Sequence, residues 1–540
     1  MFDYVIVGGG SAGCVLAARL SEDADVNVCL LEAGPADSNP FIHMPMGLLW
    51  LMHSKVLNWH FYTRGEAELG GRKLFWPRGN TLGGSSSSNA MCYMRGHPSD
   101  YDDWEKSGNP GWSFRDVLPY FKRAQNQERG ASEFHGVGGP LNVADLRSPN
   151  VLTQAFIEAG VQTGIPHNHD FNGAVQEGVG LFQVTQKNGR RCSTAAGYLK
   201  MASGRPNLTV ITGAHARRVL FRGNVATGVE YQRKGSTEQV SATREVILSA
   251  GAIQSPQLMM LSGVGDSPAL HAAKIPVTAH LPGVGKNLQD HLDVIVVNTC
   301  TKAVSWGITL RNSLDSGWNF WRYLRAGSGM FTTNGAEGCG FAKSSPEEPI
   351  PDLQFHFGPI RLSRHGHDVG FLFGDGYSLH VCNLRPKSRG EIRLASNNPL
   401  AKADIVANYL SHPEDMEHMV RGVRLARKIL AAPAFNRFRG KEIIPQTQCE
   451  TDEEIRQFIR QRAETIYHPV GTCKMGSDPM AVVDAELRVH GVDGLRVVDA
   501  SIMPTLIGGN TNAPVVMIAE KASDMIKQAR RAMPGDREAA

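Results

Sequence analysis

The sequence of 540 residues predicts an α/β protein, in which a Rossmann-like nucleotide-binding part is interleaved with an α+β part built on an antiparallel sheet. Three observations support this fold class. The chain opens with an apolar strand, a glycine-rich turn and a helix, alternating strand patterns occupy its middle, and a strand of the buried type returns near residue 495. Because the chain is longer than one hydrophobic core sustains, two domains are expected.

The opening turn predicts a dinucleotide site. After the apolar strand Y-V-I-V-G, Gly8, Gly10 and Gly13 fit the pattern G-x-G-x-x-G at the start of a helix. Only glycine lets the backbone approach a pyrophosphate, whose charge then lies against the free N–H groups of the helix N-terminus. A second apolar strand ends in Glu32, where a carboxylate can accept hydrogen bonds from a ribose diol. Glu32 would repel a 2'-phosphate, which disfavours NADP and leaves FAD and NAD open.

A second glycine- and serine-rich turn lies at residues 76–91, W-P-R-G-N-T-L-G-G-S-S-S-S-N-A-M. It is rich in N–H and O–H donors and has little bulk, so it suits either a flexible loop or contact with a cofactor. Asn89 and Met91 bracket the turn with residues suited to a packed wall. We therefore predict a segment that contacts the cofactor.

The remaining elements follow from the same local patterns. They are strands within 207–231 and 244–256 that return to the first sheet, antiparallel strands near 352 and 377, a proline-rich linker at the end of 301–350, and a helix at 452–465 with Thr451 as N-cap. The stretch 495–504 is again a strand of the buried parallel type with an acid at its end. The predicted nucleotide-binding domain comprises 1–150, 203–300 and 455–540, and the substrate-binding domain 151–202 and 301–454.

Composition excludes some classes of protein. The 56 Lys and Arg residues nearly balance the 52 Asp and Glu residues, and no run of like charges is long enough to bind nucleic acid. Nine cysteines without a C-x-x-C pair, and a start without a leader pattern, predict a cytoplasmic protein. No histidine pair has a metal-binding spacing, so no metal is expected. The apolar stretch 41–52 is interpreted as a pocket wall, because Pro45 and Gly47 interrupt it. Peripheral contact with the inner membrane stays open, as does the oligomeric state.

Five blocks resemble signatures of the glucose-methanol-choline (GMC) flavoprotein oxidoreductases. They lie at residues 79–96, 251–265, 284–291, 467–476 and 509–514. The resemblance covers nearly the whole chain and is nearest to bacterial flavin-dependent alcohol dehydrogenases, with choline dehydrogenase close behind. It implies FAD as the cofactor, which the first glycine turn alone could not decide. Where some choline-oxidising members carry a histidine bonded to the flavin, this chain has Ser88, so we expect non-covalent FAD.

The same resemblance implies roles for particular residues. His468, in Y-H-P-V-G-T-C, is expected to act as the general base, because the unperturbed pKa of imidazole lies near working pH. Asn512 is expected to hydrogen-bond the substrate oxygen, with the alternative that Asn510 or Asn512 caps the final helix. The implied cofactor contacts are Gly8, Gly10, Gly13, Glu32, Gly84, Ser85, Asn89 and Asp499.

The expected reaction is oxidation of primary aliphatic or amphipathic alcohols to aldehydes by hydride transfer to flavin N5, with a quinone-type electron acceptor. An oxygen-using oxidase and a choline-type dehydrogenase are alternatives within the same chemistry. A non-redox lyase and a light-driven decarboxylase are alternatives of another class on the same scaffold. The second glycine-serine turn disfavours a nicotinamide dehydrogenase.

Overall fold

The structure is a computed structural model that describes residues 1–364, 368–445 and 449–532; the end of the predicted segment 455–540 therefore lies outside the described residues. Its α-helices are Ser11–Leu20, Pro40–His43, Leu48–His53, Pro98–Lys106, Phe114–Ala124, Val151–Gln162, Gly251–Leu261, Ser267–Ala272, Leu310–Ala326, Pro413–Ala431, Asp452–Arg462 and Asn512–Ala532. In the described part of the chain, no helix combines the length and the apolar character needed to cross a bilayer.

The first large sheet begins at the N-terminus and is completed near the C-terminus. Its strands are Phe2–Val7, Val28–Glu32, Leu208–Thr212, His215–Arg222, Val225–Arg233, Ser236–Leu248 and Leu495–Val497. The strand Ser236–Leu248 pairs in parallel with the opening strand and with Leu495–Val497, while its first half pairs antiparallel with Val225–Arg233. The predicted return of the chain to the opening sheet is confirmed.

The second large sheet is antiparallel throughout. Its strands are Gly178–Leu181, Leu292–Cys300, Gly338–Ala342, Leu353–Gly358, Gly376–Asn383, Arg439–Ile444 and Glu464–Thr465. This confirms the antiparallel strands predicted near 352 and 377. The strand Leu292–Cys300 pairs in this sheet although it falls within the segment 203–300 assigned to nucleotide binding. The division into domains remains a prediction.

The smaller sheets connect these layers. In the three-stranded sheet, Leu141–Asp145 lies between Gln125–Gln127 and Gln183–Val184. The two-stranded sheets pair Phe61–Tyr62 with Phe75–Trp76, Gln186–Lys187 with Arg190–Arg191, Val264–Gly265 with Ala279–His280, and Glu391–Arg393 with Asp404–Val406.

Local signals place several elements correctly. Thr451 caps Asp452–Arg462 through a capping box with Glu454, as the spacing of a threonine and a glutamate predicts. The predicted proline-rich linker, residues 343–352, contains no helix or strand and connects Gly338–Ala342 with Leu353–Gly358, which pair with each other. The helix Leu310–Ala326 lies in a segment for which no element was predicted, and its exposed side carries apolar residues.

The first and last helices hold the two ends of the chain together. Ser11–Leu20 packs against Asn512–Ala532 beside the first sheet. Between them, the fully buried Glu520 carboxylate accepts hydrogen bonds from Arg19, from Arg123 and from the Tyr198 hydroxyl. A buried carboxylate is stable only when it is paired in this way. The network therefore fixes the middle of the C-terminal helix relative to the end of the helix that follows the first glycine turn.

Candidate active site

A cavity of about 410 Å³ is lined by residues of both large sheets and both glycine turns. Its lining includes Ser88 and the predicted site residues Gly8, Gly10, Glu32, Gly84, Ser85, Asn89, His468, Asp499 and Asn512. The stretch 41–52 contributes Pro45, Met46, Leu48, Leu49 and Met52, which confirms its interpretation as a pocket wall. Folding therefore brings His468 and the opening turn to the same cavity.

The first glycine turn forms one end of the cavity. Gly10 is the N-cap of Ser11–Leu20 and makes no side-chain capping bond, so the helix presents free N–H groups there. A Cβ at Gly10 would have no protein atom closer than 3.9 Å, whereas a Cβ at Gly13 would lie 1.9 Å from the Gly8 carbonyl oxygen. Gly10 thus leaves the backbone accessible to a ligand, and Gly13 allows the helix to approach the strand.

The Glu32 carboxylate lies beside this turn. Its two oxygens accept hydrogen bonds from the Gly9 N–H at 2.8 Å and the Gly34 N–H at 2.7 Å. Burial raises the pKa of Glu32 to about 7, although these two N–H groups act in the opposite direction. Each oxygen retains a lone pair for a ribose hydroxyl, so the position suits the predicted contact.

The second glycine-serine turn packs directly on the first. The Gly83 N–H donates to the Gly9 carbonyl at 2.7 Å, and a Cβ at Gly84 would lie 2.7 Å from the Gly10 Cα. The Ser85 hydroxyl accepts a hydrogen bond from the Gly79 N–H at 3.2 Å. These contacts make the segment a structured wall of the cavity rather than a free loop.

Asn89 is held by a buried arginine that the sequence reasoning missed. The Arg191 guanidinium donates to the Asn89 side-chain oxygen at 2.8 Å and to its backbone carbonyl at 2.6 Å. Burial lowers the pKa of Arg191 to about 9, and within the described residues it belongs to no ion pair. Arg191 does not line the cavity itself, and its hydrogen bonds hold Asn89, which does.

Asp499 lines the cavity, but its oxygens are engaged by the protein itself. They accept hydrogen bonds from the Gly251 N–H, the Ser255 hydroxyl and the Ser501 N–H at 2.9, 2.6 and 2.8 Å. Burial raises the pKa of Asp499, and these hydrogen bonds oppose the shift. Asp499 thus ties the last parallel strand to the helix Gly251–Leu261, while its contact with a cofactor stays a prediction.

His468 is positioned by the segment N-L-Q-D-H at the start of the second sheet. Glu464–Thr465 pairs antiparallel with Leu292–Cys300, and the Ile466 N–H donates to the His291 carbonyl. The Asp290 carboxylate accepts the His468 backbone N–H at 2.7 Å. Burial raises the pKa of Asp290 to about 6, against hydrogen bonds from Thr465 and Tyr409. The turn that carries His468 is therefore fixed by strand pairing and by a buried carboxylate.

Backbone strain marks the same turn. Tyr467, directly before His468, has φ of 73°, a left-handed conformation that costs a non-glycine residue about 1–2 kcal/mol. The Arg78 guanidinium donates to the Tyr467 carbonyl at 2.7 Å and stabilises this conformation. Such strain persists where surrounding contacts enforce it, and here it turns His468 toward the cavity.

Hydrogen bonds assign the tautomer of His468. His291 Nε2 lies 3.1 Å from the Leu384 carbonyl oxygen, which can only accept, so His291 carries its proton on Nε2. His291 Nδ1 is 2.9 Å from His468 Nδ1 and must accept, because burial lowers the pKa of His291 to about 3 and keeps it neutral. His468 is therefore protonated on Nδ1. Its Nε2 keeps a lone pair.

Burial also lowers the pKa of His468 well below its ordinary value, and the positive charge of Arg78 acts in the same direction. A lowered pKa favours the neutral imidazole at neutral pH. The free Nε2 is thus ready to accept a proton, which is the property that a general base requires.

Asn510, not Asn512, lies against this nitrogen. Asn510 Nδ2 is 3.2 Å from His468 Nε2, and its amide orientation is fixed because Oδ1 accepts from Gln354 at 3.1 Å. Asn512 begins the final helix, and its Oδ1 accepts from the Ser11 hydroxyl at 2.8 Å in the first glycine turn. The geometry thus differs from the expectation for Asn512. Asn510, which the sequence reasoning considered only as a helix cap, is the amide beside the base.

Substitution of the two asparagines tests this difference. We expect Asn510→Ala to lower the rate constant of cofactor reduction by about 10²-fold, because it removes a donor from the place where negative charge develops on the substrate oxygen. Asn512→Ala removes the acceptor for Ser11 and should alter cofactor affinity more than that rate constant. Stopped-flow reduction and cofactor titration measure the two effects. A larger loss of rate in Asn512→Ala than in Asn510→Ala would support the original assignment.

Two further residues at the site were not predicted, although the sequence signal that marks them was present. His291 and Asp290 lie in the block 284–291, which resembles a family signature, but the resemblance implied no role for this histidine. Metal binding is not supported at the cavity, although Glu348, Asp352 and His418 elsewhere place three ligand atoms within 4.8 Å of one another. None of these three lines the cavity. The absence of a metal remains a prediction.

The cavity fits FAD by the chemistry of its lining. Gly10 and the start of Ser11–Leu20 suit a pyrophosphate, and Glu32 suits a ribose. Among the described residues, the buried Ser249 hydroxyl beside this turn has no hydrogen-bond partner, so a polar ligand group would satisfy it. His468 and Asn510 lie on the lining as well, where a reacting group would meet them.

Comparison with known proteins agrees with this geometry. Models of the N- and C-terminal parts of the family described as GMC oxidoreductase match residues 2–293 and 386–519. The chain is 50% identical to the alcohol dehydrogenase [acceptor] of Pseudomonas putida, over 97% of this chain and 96% of that protein. It is 45% identical to oxygen-dependent choline dehydrogenase 1 of Chromohalobacter salexigens, over 97% and 95%.

A solved structure gives the same result for the fold. Formate oxidase from Aspergillus oryzae RIB40, in a variant studied for its effect on FAD modification, superposes with a TM-score of 0.92 at 27% identity and covers 98% of each chain. The family models match most of the chain, and the two relatives are 50% and 45% identical to it over nearly its whole length. These matches establish the family of the chain. The chain belongs to the GMC oxidoreductases, a family of FAD-dependent enzymes.

Proposed function

We propose that the protein oxidises primary aliphatic or amphipathic alcohols to aldehydes and passes the electrons to a quinone-type acceptor. The observation that carries the proposal is the arrangement of His468, a neutral buried imidazole with its Nε2 lone pair beside the Asn510 amide. FAD, when bound, supplies the group that accepts the hydride from the carbinol carbon. The Pseudomonas putida relative, named as an alcohol dehydrogenase that uses an acceptor, supports the same reaction class.

The side chains of the protein handle the proton. A substrate hydroxyl that takes the place of the Asn510 N–H at His468 Nε2 would donate its proton to that nitrogen. His468 Nδ1–H remains bonded to His291, so the imidazolium that forms shares its charge with a neutral acceptor. The Asn510 N–H is then close enough to donate to the developing alkoxide.

The lining of the cavity favours uncharged alcohols. Its walls include Trp306, Ile360 and Leu362 in addition to the apolar stretch 41–52. The carboxylates among the described lining residues are Glu32 and Asp499, and both are engaged beside the nucleotide turn. Asp290 lies behind His468 and does not line the cavity, so a quaternary ammonium such as choline would meet no carboxylate on the described lining near His468, and we place a choline-type activity second.

An anaerobic substrate panel tests the proposal. We expect primary alcohols of increasing chain length to bleach the flavin absorbance of the holoenzyme, with the rate constant rising as the apolar chain fills the cavity. Choline at equal concentration should bleach it much more slowly. Flavin that stays oxidised with every alcohol would contradict the proposal and favour a lyase or decarboxylase.

The electron acceptor is tested separately. The same enzyme is turned over on its best alcohol with oxygen and with a soluble quinone. We expect the quinone to support the faster turnover. Equal or faster turnover with oxygen would reject the acceptor assignment while leaving the alcohol chemistry intact.

A further inference from the structure

The helix Leu310–Ala326 turns its apolar side to solvent. Leu314, Trp318, Trp321 and Leu324 follow the three- and four-residue spacing of one helix face, and their exposed fractions are 76, 61, 51 and 67%. Large apolar side chains at such exposure rarely form a contiguous patch on a protein that has no partner there. We therefore expect a partner outside the chain to cover this face.

The opposite side of the helix is polar and faces the protein. Asn312, Ser316, Asn319 and Tyr323 are all less exposed than the apolar residues. Asn312 Nδ2 donates to the carbonyls of two residues in the preceding loop at 2.9 and 2.6 Å, which anchors the start of the helix. The helix thus turns its polar side to the protein and its apolar side to solvent, which is the reverse of a helix packed on the core of a soluble protein.

The apolar surface continues beyond the helix. Ile308 and Phe373 are paired by a β-bridge next to the start of the helix and are 44 and 55% exposed. We call these two residues and Leu314, Trp318, Trp321 and Leu324 the aromatic face. Trp318 and Trp321 stack with ring centroids 5.0 Å apart, so the two indole rings form one contiguous aromatic group.

Cations surround one end of the aromatic face. Arg322 and Arg325 lie on the helix, with Arg325 5.9 Å from the Trp321 ring. The hairpin of Gln186–Lys187 and Arg190–Arg191 packs against the C-terminal end of the helix, because a Cβ at Gly189 would lie 2.4 Å from the Gly327 carbonyl oxygen. That hairpin adds the exposed Lys187 and Arg190.

None of these four cations takes part in an ion pair with another described residue. Within the described part of the helix, Asp315 is the single acidic residue. An exposed apolar surface with unpaired positive charges at its edge complements a surface that is apolar inside and negatively charged outside.

We propose that the aromatic face docks the protein on an anionic lipid bilayer, with the tryptophan and leucine side chains in the interface and the four cations at the headgroup phosphates. Trp306, which precedes the helix, and Thr333–Ala336, which follow it, line the active-site cavity. Docking therefore brings a wall of the cavity to the lipid surface, where amphipathic alcohols and quinones concentrate. The inference does not depend on the proposed function, because lipid binding is measured without turnover.

Two other surfaces or partners are less suitable. Docking of a second copy on the same face would bring two sets of the same four cations together, which repel each other. The stretch 41–52 has its exposed Trp50 stacked on Phe41 at 4.7 Å, while Leu51 and Met52 are buried. That stretch is a pocket wall, so peripheral contact is assigned to the aromatic face instead.

Sedimentation of the holoenzyme with vesicles tests the proposal. We expect binding to vesicles of mixed phosphatidylglycerol and phosphatidylcholine, weaker binding to phosphatidylcholine alone, and a loss of binding at high salt. The double variant Trp318→Ser/Trp321→Ser should lower the partition coefficient by about tenfold or more. Trp50→Ser, an exposed tryptophan on another element, is the matched control and should bind as the unaltered protein does.

The charges and the fold are checked in parallel. Arg322→Gln/Arg325→Gln should weaken binding to the anionic vesicles and leave binding to phosphatidylcholine unchanged. The variants on the helix Leu310–Ala326 should turn over a soluble alcohol with a soluble acceptor at the unaltered rate, because the substituted residues do not line the cavity. Failure of the holoenzyme to bind anionic vesicles would overturn the proposal. So would equal binding by the double tryptophan variant, or self-association that this variant abolishes without any lipid binding.

Discussion

Replacement of His468 with alanine is expected to lower the rate constant of flavin reduction by about 10²–10⁴-fold. The substitution removes the only nitrogen that the hydrogen-bond chain from Leu384 through His291 leaves free to accept a proton. FAD binding should persist, because the nucleotide contacts belong to the glycine turns and Glu32. Stopped-flow absorbance under anaerobic conditions measures the rate, and flavin content per protein measures binding.

His412→Ala is the matched control for this experiment. His412 is exposed and makes no side-chain capping bond at the start of Pro413–Ala431, so its loss should leave the rate unchanged. His468→Gln adds a variant that keeps a polar side chain of similar size. If either His468 variant reduced its flavin at the unaltered rate, the assignment of the base would be wrong.

Replacement of Gly13 with alanine is expected to prevent stable FAD binding. The added Cβ would lie 1.9 Å from the Gly8 carbonyl oxygen, so the helix Ser11–Leu20 must move away from the strand that carries the turn. Such overpacking costs about 1–3 kcal/mol, and the displacement also moves the N–H groups that face the pyrophosphate. The purified variant should contain about one tenth or less of the normal flavin and unfold at a lower temperature.

Flavin released by heating quantifies this effect, because Ser88 cannot form the covalent bond that a histidine makes at this place in some relatives. Gly370→Ala is the control, since a Cβ at Gly370 meets no atom within 4 Å and the residue does not line the cavity. Normal flavin content and normal unfolding in Gly13→Ala would show that the turn tolerates a side chain. The close packing described for Gly13 would then be wrong.

Short-range patterns in the sequence predicted the elements well. The opening strand, the glycine turn and Glu32 all lie within residues 1–32, and each has a local physical cause. The capping box at Thr451 and the alternation near residues 353 and 377 are local signals of the same kind. The role of His468 required the resemblance as well, because one histidine among nineteen carries no such signal by itself.

Contacts between segments that are distant in the chain were harder to predict from the sequence. Asn510 and Asn512 are two residues apart at the start of one helix, and only the direction of each side chain in the folded chain separates the base's neighbour from the partner of Ser11. The prolines at 343–352 indicated a connecting segment, but not that the two strands it connects pair with each other. The helix Leu310–Ala326 was not predicted although its apolar residues recur at helical spacing, and the sequence could not show that this apolar side faces solvent.

By itself the sequence determined the two glycine turns, the acid that suits a ribose and the order of strands around them, because backbone approach and buried pairing depend on residues close together in the chain. Only the tertiary structure decided which nitrogen of His468 is free and which amide stands beside it. Pairing of Glu464–Thr465 with Leu292–Cys300 brings His291 to His468, and a hydrogen bond to the Leu384 carbonyl then sets both tautomers. Proton positions depend on distances between side chains from separate strands, and those distances exist only after folding.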